Sequence, residues 1–387
     1  MFLYFGLINI IIAVYDIMKI LLTIDSLGSG GAQKQIINLA KGLKQRGHNV
    51  ELFYYNTDSN FFYEELEGLK IKSHSHKQKK YQIPFLKHFF TTYALRKVIK
   101  KDFDGIISFM HIPSIYSCFA KVGLNSKLIV CERNSSIADI PLFVKVLFYF
   151  SCLISDSIVA NSESEALLLR KRFFNQKKVY AIWNGYDIQK ISTNKIIESN
   201  NFHKKLLVVG RITFQKNGYN LLKSLKLFYE INGWLPEIKW AGRLDSYDKR
   251  SKIMKKKMDI LLSENPILNS KFKFIGEVTD INELYKTSDA LIHVSRYEGF
   301  ANAICESMIN GCLVICSRVC DNEIIIDSDR GLLCNHLEPE SIYKTIDLMY
   351  KMNKETIAKI TRDAKVFASD NFSLKRMTLM YERILIN

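Results

Sequence analysis

Apolar runs of strand length alternate with helix-like segments along most of the chain. The segment AQKQIINLAKGLKQRG (32–47) carries apolar residues at helical spacing and ends on a glycine, which is typical of a surface helix. Alternation of strand and helix implies a parallel sheet with helices on both faces. The strand-like runs of the first half are KILLTID, NVELFYY, GIISFM, KLIVCE, SIVANS and VYAIWNG.

A polar segment without clear periodicity, DIQKISTNKIIESNNFHKK (187–205), interrupts this alternation and is interpreted as an interdomain linker. Strand-like runs then return as LLVVGRI, EIKWAG, KFKFIGE, ALIHVS, CLVICS and GLLC. A chain of 387 residues is also too long for one ordinary core. We therefore predict an α/β protein with two doubly wound parallel-sheet domains, 18–188 and 205–366, joined by a linker over 189–204. The cleft between them is the expected ligand site.

The formal charge of +16 indicates an anionic partner: nucleic acid, an acidic membrane surface or a phosphorylated substrate. Ten Lys and Arg residues and no Asp or Glu lie within 69–101. The segment FLKHFFTTYALRKVIKK (85–101) mixes these cations with aromatic residues, a pattern that favours a basic amphipathic helix on anionic lipid. The alternative is a solvated helix with a core-facing stripe. No zinc, helix-turn-helix or RNA-sheet signature is visible, so we expect no nucleic-acid partner.

The first residues, MFLYFGLINIIIAVYD (1–16), are apolar, but the run is shorter than the roughly 20 residues that span a membrane. They also lack the basic start of a signal peptide. We predict an apolar extension over 1–17 ahead of a natural start at Met18, with a monotopic membrane anchor as the alternative. The eight cysteines form no CxxC pair, so we expect reduced thiols, a cytosolic protein and no bound metal.

In each half of the chain, the loop after the first strand carries residues suited to binding an anion. In SLGSGGAQKQ, Gly30 and Gly31 let a ligand approach the backbone ahead of a helix N-terminus, although a simple tight turn is the alternative. In VVGRITFQKNG, Arg211 and Lys216 lie five positions apart at the carboxyl end of a strand. A guanidinium fork with an ammonium is suited to a diphosphate.

The segment EGFANAICE (298–306) places a carboxylate on each side of a turn that leads into a helix. The free N–H groups of that helix start point into the expected cleft. Helical side chains lean toward the N-terminus, so Glu306 reaches back toward the ligand that Glu298 meets from the loop. Carboxylates accept hydrogen bonds from paired hydroxyls, as on a sugar or a ribose. The alternative is a capped helix with a second glutamate in its body.

These motifs together resemble the family 4 retaining glycosyltransferases of GT-B fold, glycosyltransferase group 1, of the bacterial surface-polysaccharide type. The likeness rests on the early GGA, on VGR with a lysine five residues on, and on NGYD near the linker. It rests further on SDSIVANSESE (155–165) and TSDALIHVSRYEGFANAICESMINGC (287–312). The resemblance runs from about Met18 to the end of the chain, and it implies that 367–387 is a helix that crosses back to the first domain.

The resemblance implies a role for each matching residue on the donor side. Arg211 and Lys216 would bind the donor diphosphate and stabilise the leaving nucleotide, Glu306 would hold the ribose hydroxyls, and Glu298 would lie at the donor sugar. The backbone amides of Phe300, Ala301 and Asn302 would lie nearby, with Gly30 and Gly31 approaching from the opposite domain.

Three further residues are implied on the other side of the cleft. His111 ends the strand GIISFMH and would contact the donor sugar, with an ordinary loop histidine as the alternative. Arg133 and Asn134 in CERNSS would face the acceptor. Two departures from the family pattern stand out: Gln33 replaces a glutamate after GGA, and RVCDNEII replaces a glycine-rich turn after CLVICS.

The expected function is metal-independent transfer of a hexose or N-acetylhexosamine from a UDP- or GDP-linked donor. The acceptor would be a lipid-linked glycan in surface polysaccharide synthesis, at the inner face of the cytoplasmic membrane. Alternatives are a nucleotide-sugar epimerase of the same fold and a non-enzymatic basic binding protein.

Overall fold

The computed structural model describes residues 16–78, 84–133, 140–173, 178–188, 204–245, 248–278 and 280–387. Within them the chain forms two parallel sheets, each with helices on both faces, and this confirms the predicted pair of doubly wound domains. The expected linker, apart from Lys204, and residues 1–15 of the predicted extension lie outside the described residues.

The first sheet has the strand order β3-β2-β1-β4-β5-β6-β7. Its central strand β1 pairs in register with both neighbours, so that Leu22 lies beside Leu52 and Ile107. All three side chains are fully buried because helices cover both faces. The strands are β1 (Lys19–Thr23), β2 (Asn49–Tyr54), β3 (Lys72–Ser75), β4 (Gly105–Phe109), β5 (Lys127–Glu132), β6 (Ser157–Ala160) and β7 (Val179–Ala181).

The helices of the first domain return the chain from one parallel strand to the next. They are α1 (Gly31–Gln45), α2 (Tyr63–Gly68), α3 (Pro84–Ile99), α4 (His111–Lys121), α5 (Leu142–Ile154) and α6 (Glu163–Arg172). The helix expected over 85–101 is therefore present as α3, and it buries Leu95, Val98 and Ile99.

The second sheet has the strand order β10-β9-β8-β11-β12-β13. Its core includes the fully buried Trp240, whose indole N–H donates to the Gly210 carbonyl at 2.8 Å. The strands are β8 (Lys205–Val209), β9 (Glu237–Ala241), β10 (Phe272–Gly276), β11 (Ala290–His293), β12 (Leu313–Ser317) and β13 (Leu332–Cys334). A 3₁₀ turn over Phe214–Lys216 precedes the helices α7 (Gly218–Asn232), α8 (Lys249–Ser263), α9 (Pro266–Lys271), α10 (Ile281–Thr287), α11 (Asn302–Ile309), α12 (Asn322–Ile326) and α13 (Pro339–Lys351).

The last two helices tie the domains together. Helix α14 (Lys354–Asn371) packs on α11 in the second domain, and α15 (Leu374–Ile386) packs on α1 in the first. Between them the backbone of Tyr186 exchanges hydrogen bonds with Phe372 at 2.8 Å and Leu374 at 2.9 Å. Because Leu385 and Tyr381 of α15 lie in the core of the first domain, the end of the chain is part of that domain.

Candidate functional site

The carboxyl ends of both sheets face a common cleft, and side chains from the two domains meet across it. Lys34 on α1 donates to Glu306 on α11, with Nζ 2.9 Å from Oε1. The Asn302 side-chain oxygen accepts from the Asn184 amide at 2.7 Å and from the Tyr186 hydroxyl at 2.6 Å. These bonds join the start of α11 to the loop after β7, so the structure shows the cleft in a closed arrangement.

Glu298 is the buried centre of a charged cluster in the second domain. One oxygen lies 2.7 Å from Lys216 Nζ and 3.1 Å from His293 Nε2, and the other accepts from Gln215 at 3.0 Å. Burial alone would raise the pKa of Glu298, but the Lys216 charge and the His293 hydrogen bond outweigh it and hold that pKa well below its usual range. Burial, reinforced by the Lys216 charge, lowers the pKa of His293. The cluster thus holds one anion against one cation and a neutral ring.

The local backbone explains why Lys216 can reach this position. Gly210 ends the strand region with φ 135, and a Cβ there would lie 2.8 Å from Lys216 Cε. Glycine therefore supplies both the backbone conformation and the room for the lysine stem. Arg211, the next residue, is open to solvent: its side chain is 59% exposed and pairs with Asp245 at 2.9 Å. The structure thus places Arg211 and Lys216 on the same turn, with Lys216 engaged by Glu298 and Arg211 at the surface.

Glu306 faces the cleft from the second turn of α11. Its second oxygen accepts from the buried Tyr285 hydroxyl at 3.2 Å. The Glu306 charge raises the pKa of Lys34, so this ammonium keeps its proton at neutral pH. Phe300 and Ala301 are buried ahead of the helix, and no side chain caps its start. Of the three amides expected to face a ligand, that of Asn302 already donates to the Phe300 carbonyl at 3.1 Å.

The glycine loop lies directly against α11. A Cβ on Gly31 would lie 2.6 Å from the Asn302 amide nitrogen, whereas one on Gly30 would meet only the flexible end of Gln33. Gln33 donates to Asp25 at 2.9 Å, and burial raises the pKa of Asp25. An amide at position 33 therefore satisfies a buried carboxylate, which a glutamate there would repel.

The first domain contributes a histidine and an arginine whose contacts are internal. His111 begins α4, with Nε2 2.6 Å from Glu132 and the ring edge-on to Phe148 at 4.4 Å. Met110 before it has φ 77, an uncommon value that turns the chain sharply at the end of β4. Arg133 is buried, donates to Asn184 at 2.7 Å and to the Tyr381 hydroxyl at 2.8 Å, and stacks over Phe109.

Arg133 therefore supports the cross-cleft residue Asn184 and the docked helix α15 in this arrangement. Asn134, which the sequence paired with it on the acceptor side, lies outside the described residues.

A second bridge between the domains uses Asp321, in the loop that replaces the family's glycine-rich turn. Its carboxylate accepts from the backbone N–H groups of Glu163 at 2.6 Å and Ser164 at 2.9 Å. It also accepts from the Trp183 indole at 2.8 Å. A carboxylate of the second domain thus caps the start of α6 in the first, where the helix dipole favours negative charge.

Sequence reasoning missed the partners that complete these groups. Gln215 and His293 lie within five residues of Lys216 and Glu298, so neighbouring polar positions at strand ends were a usable signal. Lys34 and Asn184 gave none, because each acts on a residue more than a hundred positions away. Asp321 lies in the segment RVCDNEII, which stands out in the sequence as a departure from the family pattern, although its partners in the first domain could not be predicted.

Two family models match the chain in succession. Residues 29–190 match the model described as Glycosyltransferase Family 4, and residues 190–366 match the model described as Glycosyl transferases group 1. Together they cover 29–366, which includes the glycine loop, Lys34, Lys216, Glu298 and Glu306.

Among curated proteins, the chain is 26% identical to a Campylobacter jejuni alpha-1,4-N-acetyl-D-galactosaminyltransferase, over 91% of this chain and 94% of that one. That relative is named for the acceptor GalNAc-alpha-(1->4)-GalNAc-alpha-(1->3)-diNAcBac-PP-undecaprenol. This chain is also 26% identical to the amylovoran biosynthesis glycosyltransferase AmsD of Erwinia amylovora, over 75% of this chain and 78% of that one.

Among solved structures, Anabaena HepE in complex with UDP superposes with a TM-score of 0.79 at 19% identity. The match covers 95% of this chain and 100% of the Anabaena chain. At this identity the likeness concerns the fold, and it agrees with two parallel-sheet domains around a cleft.

Proposed function

The chain belongs to the family 4 glycosyltransferases of GT-B fold, and we propose that it is a retaining enzyme that uses a UDP-linked sugar. The sugar would be a hexose or N-acetylhexosamine, and the acceptor a lipid-linked glycan. The observation that carries this proposal is the pair of carboxylates at the start of α11. Glu298 is held by Lys216 of its own domain, and Glu306 is held by Lys34 of the opposite domain.

Glu306 is suited to the ribose of the donor. Its two oxygens accept hydrogen bonds in the closed cleft, one from Lys34 and one from Tyr285. Ribose hydroxyls are donors of the same kind, so a bound nucleotide can exchange with Lys34 at this carboxylate. The Anabaena neighbour was solved with UDP, and this favours a uridine nucleotide over the GDP alternative.

Arg211 and Lys216 are assigned to the donor diphosphate, in place of a divalent cation. Cleavage of the sugar–phosphate bond places negative charge on the departing diphosphate and positive charge on the sugar. A guanidinium, an ammonium and the uncapped start of α11 act on the first of these charges. Arg211 is already exposed on the cleft turn, and its partner Asp245 can be exchanged for phosphate oxygens.

Glu298 is assigned to hydroxyls of the donor sugar and not to nucleophilic attack. Its pKa is held low by Lys216 and His293, so it remains an anion that accepts hydrogen bonds. We assign His111, oriented by Glu132, to the sugar from the other domain. Retention would follow from attack on the sugar face that the diphosphate leaves, with a phosphate oxygen taking the acceptor proton.

The lipid-linked acceptor is proposed from the Campylobacter relative and from the basic stretch 69–101. The structure describes this stretch except for 79–83, and its helix α3 exposes Phe89 and Tyr93 beside Lys97. These residues suit a peripheral position on an anionic membrane. No helix of the described residues is long and apolar enough to cross a bilayer.

A thermal-shift panel tests the donor site directly. UDP-, GDP- and ADP-sugars are added with EDTA present, to wild type, Glu306→Ala and the matched variant Glu283→Ala on the neighbouring helix α10. We expect UDP-sugars to raise the melting temperature of wild type and Glu283→Ala but not of Glu306→Ala. Stabilisation that depends on a divalent metal, or that is equal in all three proteins, would contradict the assignment.

A transfer assay then tests the reaction. A short-chain polyprenyl-diphosphate glycan serves as acceptor, and the anomeric configuration of the product is read by proton NMR. An α-linked product from an α-linked donor is expected. An inverted product would contradict retention, and a donor converted to its epimer without transfer would favour the epimerase alternative.

A further inference from the structure

Helix α5 has a composition that its packing does not account for. Its sequence LFVKVLFYFSCLI contains Lys145 as the only charged residue. A helix that is apolar all round belongs in a core or a membrane. Yet only Phe148, Ser151 and Cys152 are classed as buried along its length.

The exposed residues of α5 form one stripe. Leu142 is 77% exposed, Phe143 70% and Val146 56%, and Phe150 and Leu153 continue at the spacing of one helix face. Soluble proteins rarely expose an apolar patch of this kind without a partner for it. The stripe therefore indicates a surface that is covered when the protein works.

The patch extends onto the two helices that flank α5. Phe119 of α4 stacks with Phe150 at 6.3 Å between ring centroids, and Val122 at the end of α4 is also exposed. On the other side Leu167 and Leu168 of α6 are about half exposed. Three helices of one domain thus contribute exposed apolar side chains to this face, and the Phe119–Phe150 contact joins those of α4 directly to the α5 stripe.

Basic residues border this face. Lys145 lies on α5 itself, and α6 ends in the run Arg170, Lys171 and Arg172. Arg172 stacks over Tyr149 of α5, with its guanidinium carbon 4.2 Å from the ring centroid. An apolar stripe with aromatic residues and a cationic border matches the boundary between lipid chains and anionic headgroups.

The face adjoins the mouth of the cleft. In a parallel sheet the helix after β5 starts at the carboxyl edge, so Leu142 and Phe143 lie at the cleft end of α5. On its inner side Phe148 contacts the ring of His111 at 4.4 Å. A bilayer touching the exposed side of α5 would thus lie across this one helix from the residue that we assign to the donor sugar.

We propose that α5 is the element that enters the bilayer, with its stripe immersed at the level of the headgroups and upper lipid chains. This rests on the proposed lipid-linked acceptor and deepens it, because it assigns hydrophobic insertion to a helix outside the basic stretch 69–101. Thirteen residues give a length of about 20 Å, short of the ~30 Å hydrocarbon core, so the helix lies along the surface.

Vesicle sedimentation tests the proposal in the full chain. Vesicles of equal parts phosphatidylglycerol and phosphatidylcholine are mixed with wild type and with Phe143→Ser/Val146→Ser/Phe150→Ser. At about 0.5 M salt, where the headgroup attraction of the basic stretch is screened, we expect the triple variant to bind about tenfold or more weakly than wild type. Ile253→Ser/Ile260→Ser is the matched control, because α8 is also basic and exposes both isoleucines.

A fluorescent reporter separates insertion from simple adhesion. In Phe143→Trp, we expect brominated lipid chains to quench the new tryptophan, whereas Ile260→Trp on α8 stays unquenched. Light scattering without lipid tests whether a second copy of this chain covers the face instead. A dimeric wild type with a monomeric triple variant would assign the face to that second copy and overturn the proposal.

Donor binding keeps this test distinct from the proposed function. If UDP-sugar still raises the melting temperature of the triple variant while its binding to vesicles is lost, both proposals stand. Equal vesicle binding by all variants overturns the insertion of α5 alone, and loss of every nucleotide-sugar shift in wild type overturns the donor assignment alone.

Discussion

Single residues in the cleft differ in whether they already have a partner before the donor arrives. Lys216 is mostly buried and is neutralised by Glu298, whereas Arg211 is largely exposed and is paired with Asp245 at the surface. The sequence identified both cations from their position after a strand. It could not predict this difference, because burial depends on Gly210, on the 3₁₀ turn and on a glutamate 82 positions away.

Arg211→Ala should lower the transfer rate while leaving the fold intact. A charge-assisted hydrogen bond to the leaving diphosphate contributes about 1.5–3 kcal/mol, so kcat/KM should fall on the order of 10–100-fold. Arg362→Ala, at an exposed position of α14, is the matched control and should keep full activity. Steady-state transfer kinetics measure both. An unchanged kcat/KM in Arg211→Ala would show that Arg211 does not stabilise the leaving diphosphate.

Lys216→Met should destabilise the protein in a pH-dependent way. The depressed pKa of Glu298 means that wild type keeps this pair's stabilisation above the carboxyl's ordinary value of 4.5 and loses it as pH falls below that value. Without Lys216, only the His293 hydrogen bond and the Gln215 amide are left to oppose burial, so the ionised carboxylate should destabilise the variant at neutral pH by about 3–5 kcal/mol, and protonation of Glu298 should relieve that cost. The gap between the two proteins should narrow as the pH falls.

Urea unfolding at pH 7.5 and pH 5.0 measures this gap. Lys344→Met serves as the control, since Lys344 pairs with Glu340 on the exposed face of α13 and should cost little at either pH. A gap that stays constant or widens toward pH 5.0 would mean that Lys216 does not hold the Glu298 charge.

At the level of elements, the sequence predicted the strands and helices whose ends are marked by a change in residue pattern. The predicted strand KILLTID is present as β1, and the predicted helix over 85–101 is present as α3. Both could be predicted because the order of strand-like and helix-like segments along the chain is regular and turn residues flank them. Helix α5 was not identified, since an apolar run with one lysine has neither a clear helical period nor turn residues inside it. Its exposed stripe becomes visible only once the neighbouring helices are in place.

Helix α6 depends on two caps, one from each domain, and they should contribute separately. Ser162 caps it locally by accepting from Glu165 at 3.2 Å, while Asp321 accepts from Glu163 and Ser164 across the cleft. Asp321→Ala should cost about 1–3 kcal/mol, because it also leaves the Trp183 indole without this acceptor. Ser162→Ala should cost about 0.5–2 kcal/mol.

Thermal unfolding of both variants and of the double variant measures these costs. Trp183 emission should shift in Asp321→Ala and not in Ser162→Ala. If Asp321→Ala melts like wild type with unchanged emission, the cross-domain cap has no role in solution.

In the whole molecule, the two domains are held together by α15 and by the cross-cleft bonds of Asn302, Glu306 and Asp321. The sequence predicted two domains and a cleft from the restart of the strand pattern after the linker. It could not predict how far the cleft closes, because closure is set by pairs such as Lys34–Glu306, whose members are 272 positions apart.

Gly31→Val should open this cleft. A Cβ at Gly31 would lie 2.6 Å from the Asn302 amide nitrogen, and Asn302 cannot easily rotate away because Asn184 and Tyr186 both donate to its oxygen. Relief therefore requires the domains to separate, which also lengthens the Lys34–Glu306 pair. Small-angle X-ray scattering should show a larger radius of gyration, and KM for the donor should rise several-fold while the melting temperature of each domain changes little.

Gly68→Val is the matched control for this substitution. Gly68 ends α2, and nothing lies within 4 Å of the Cβ that it would acquire, so its radius and KM should equal those of wild type. A Gly31→Val protein as compact as this control would show that the closed arrangement does not depend on contact between the glycine loop and α11. A normal KM with a larger radius would instead show that the donor itself closes the cleft strongly enough to overcome the added side chain, because binding energy and domain closure are linked.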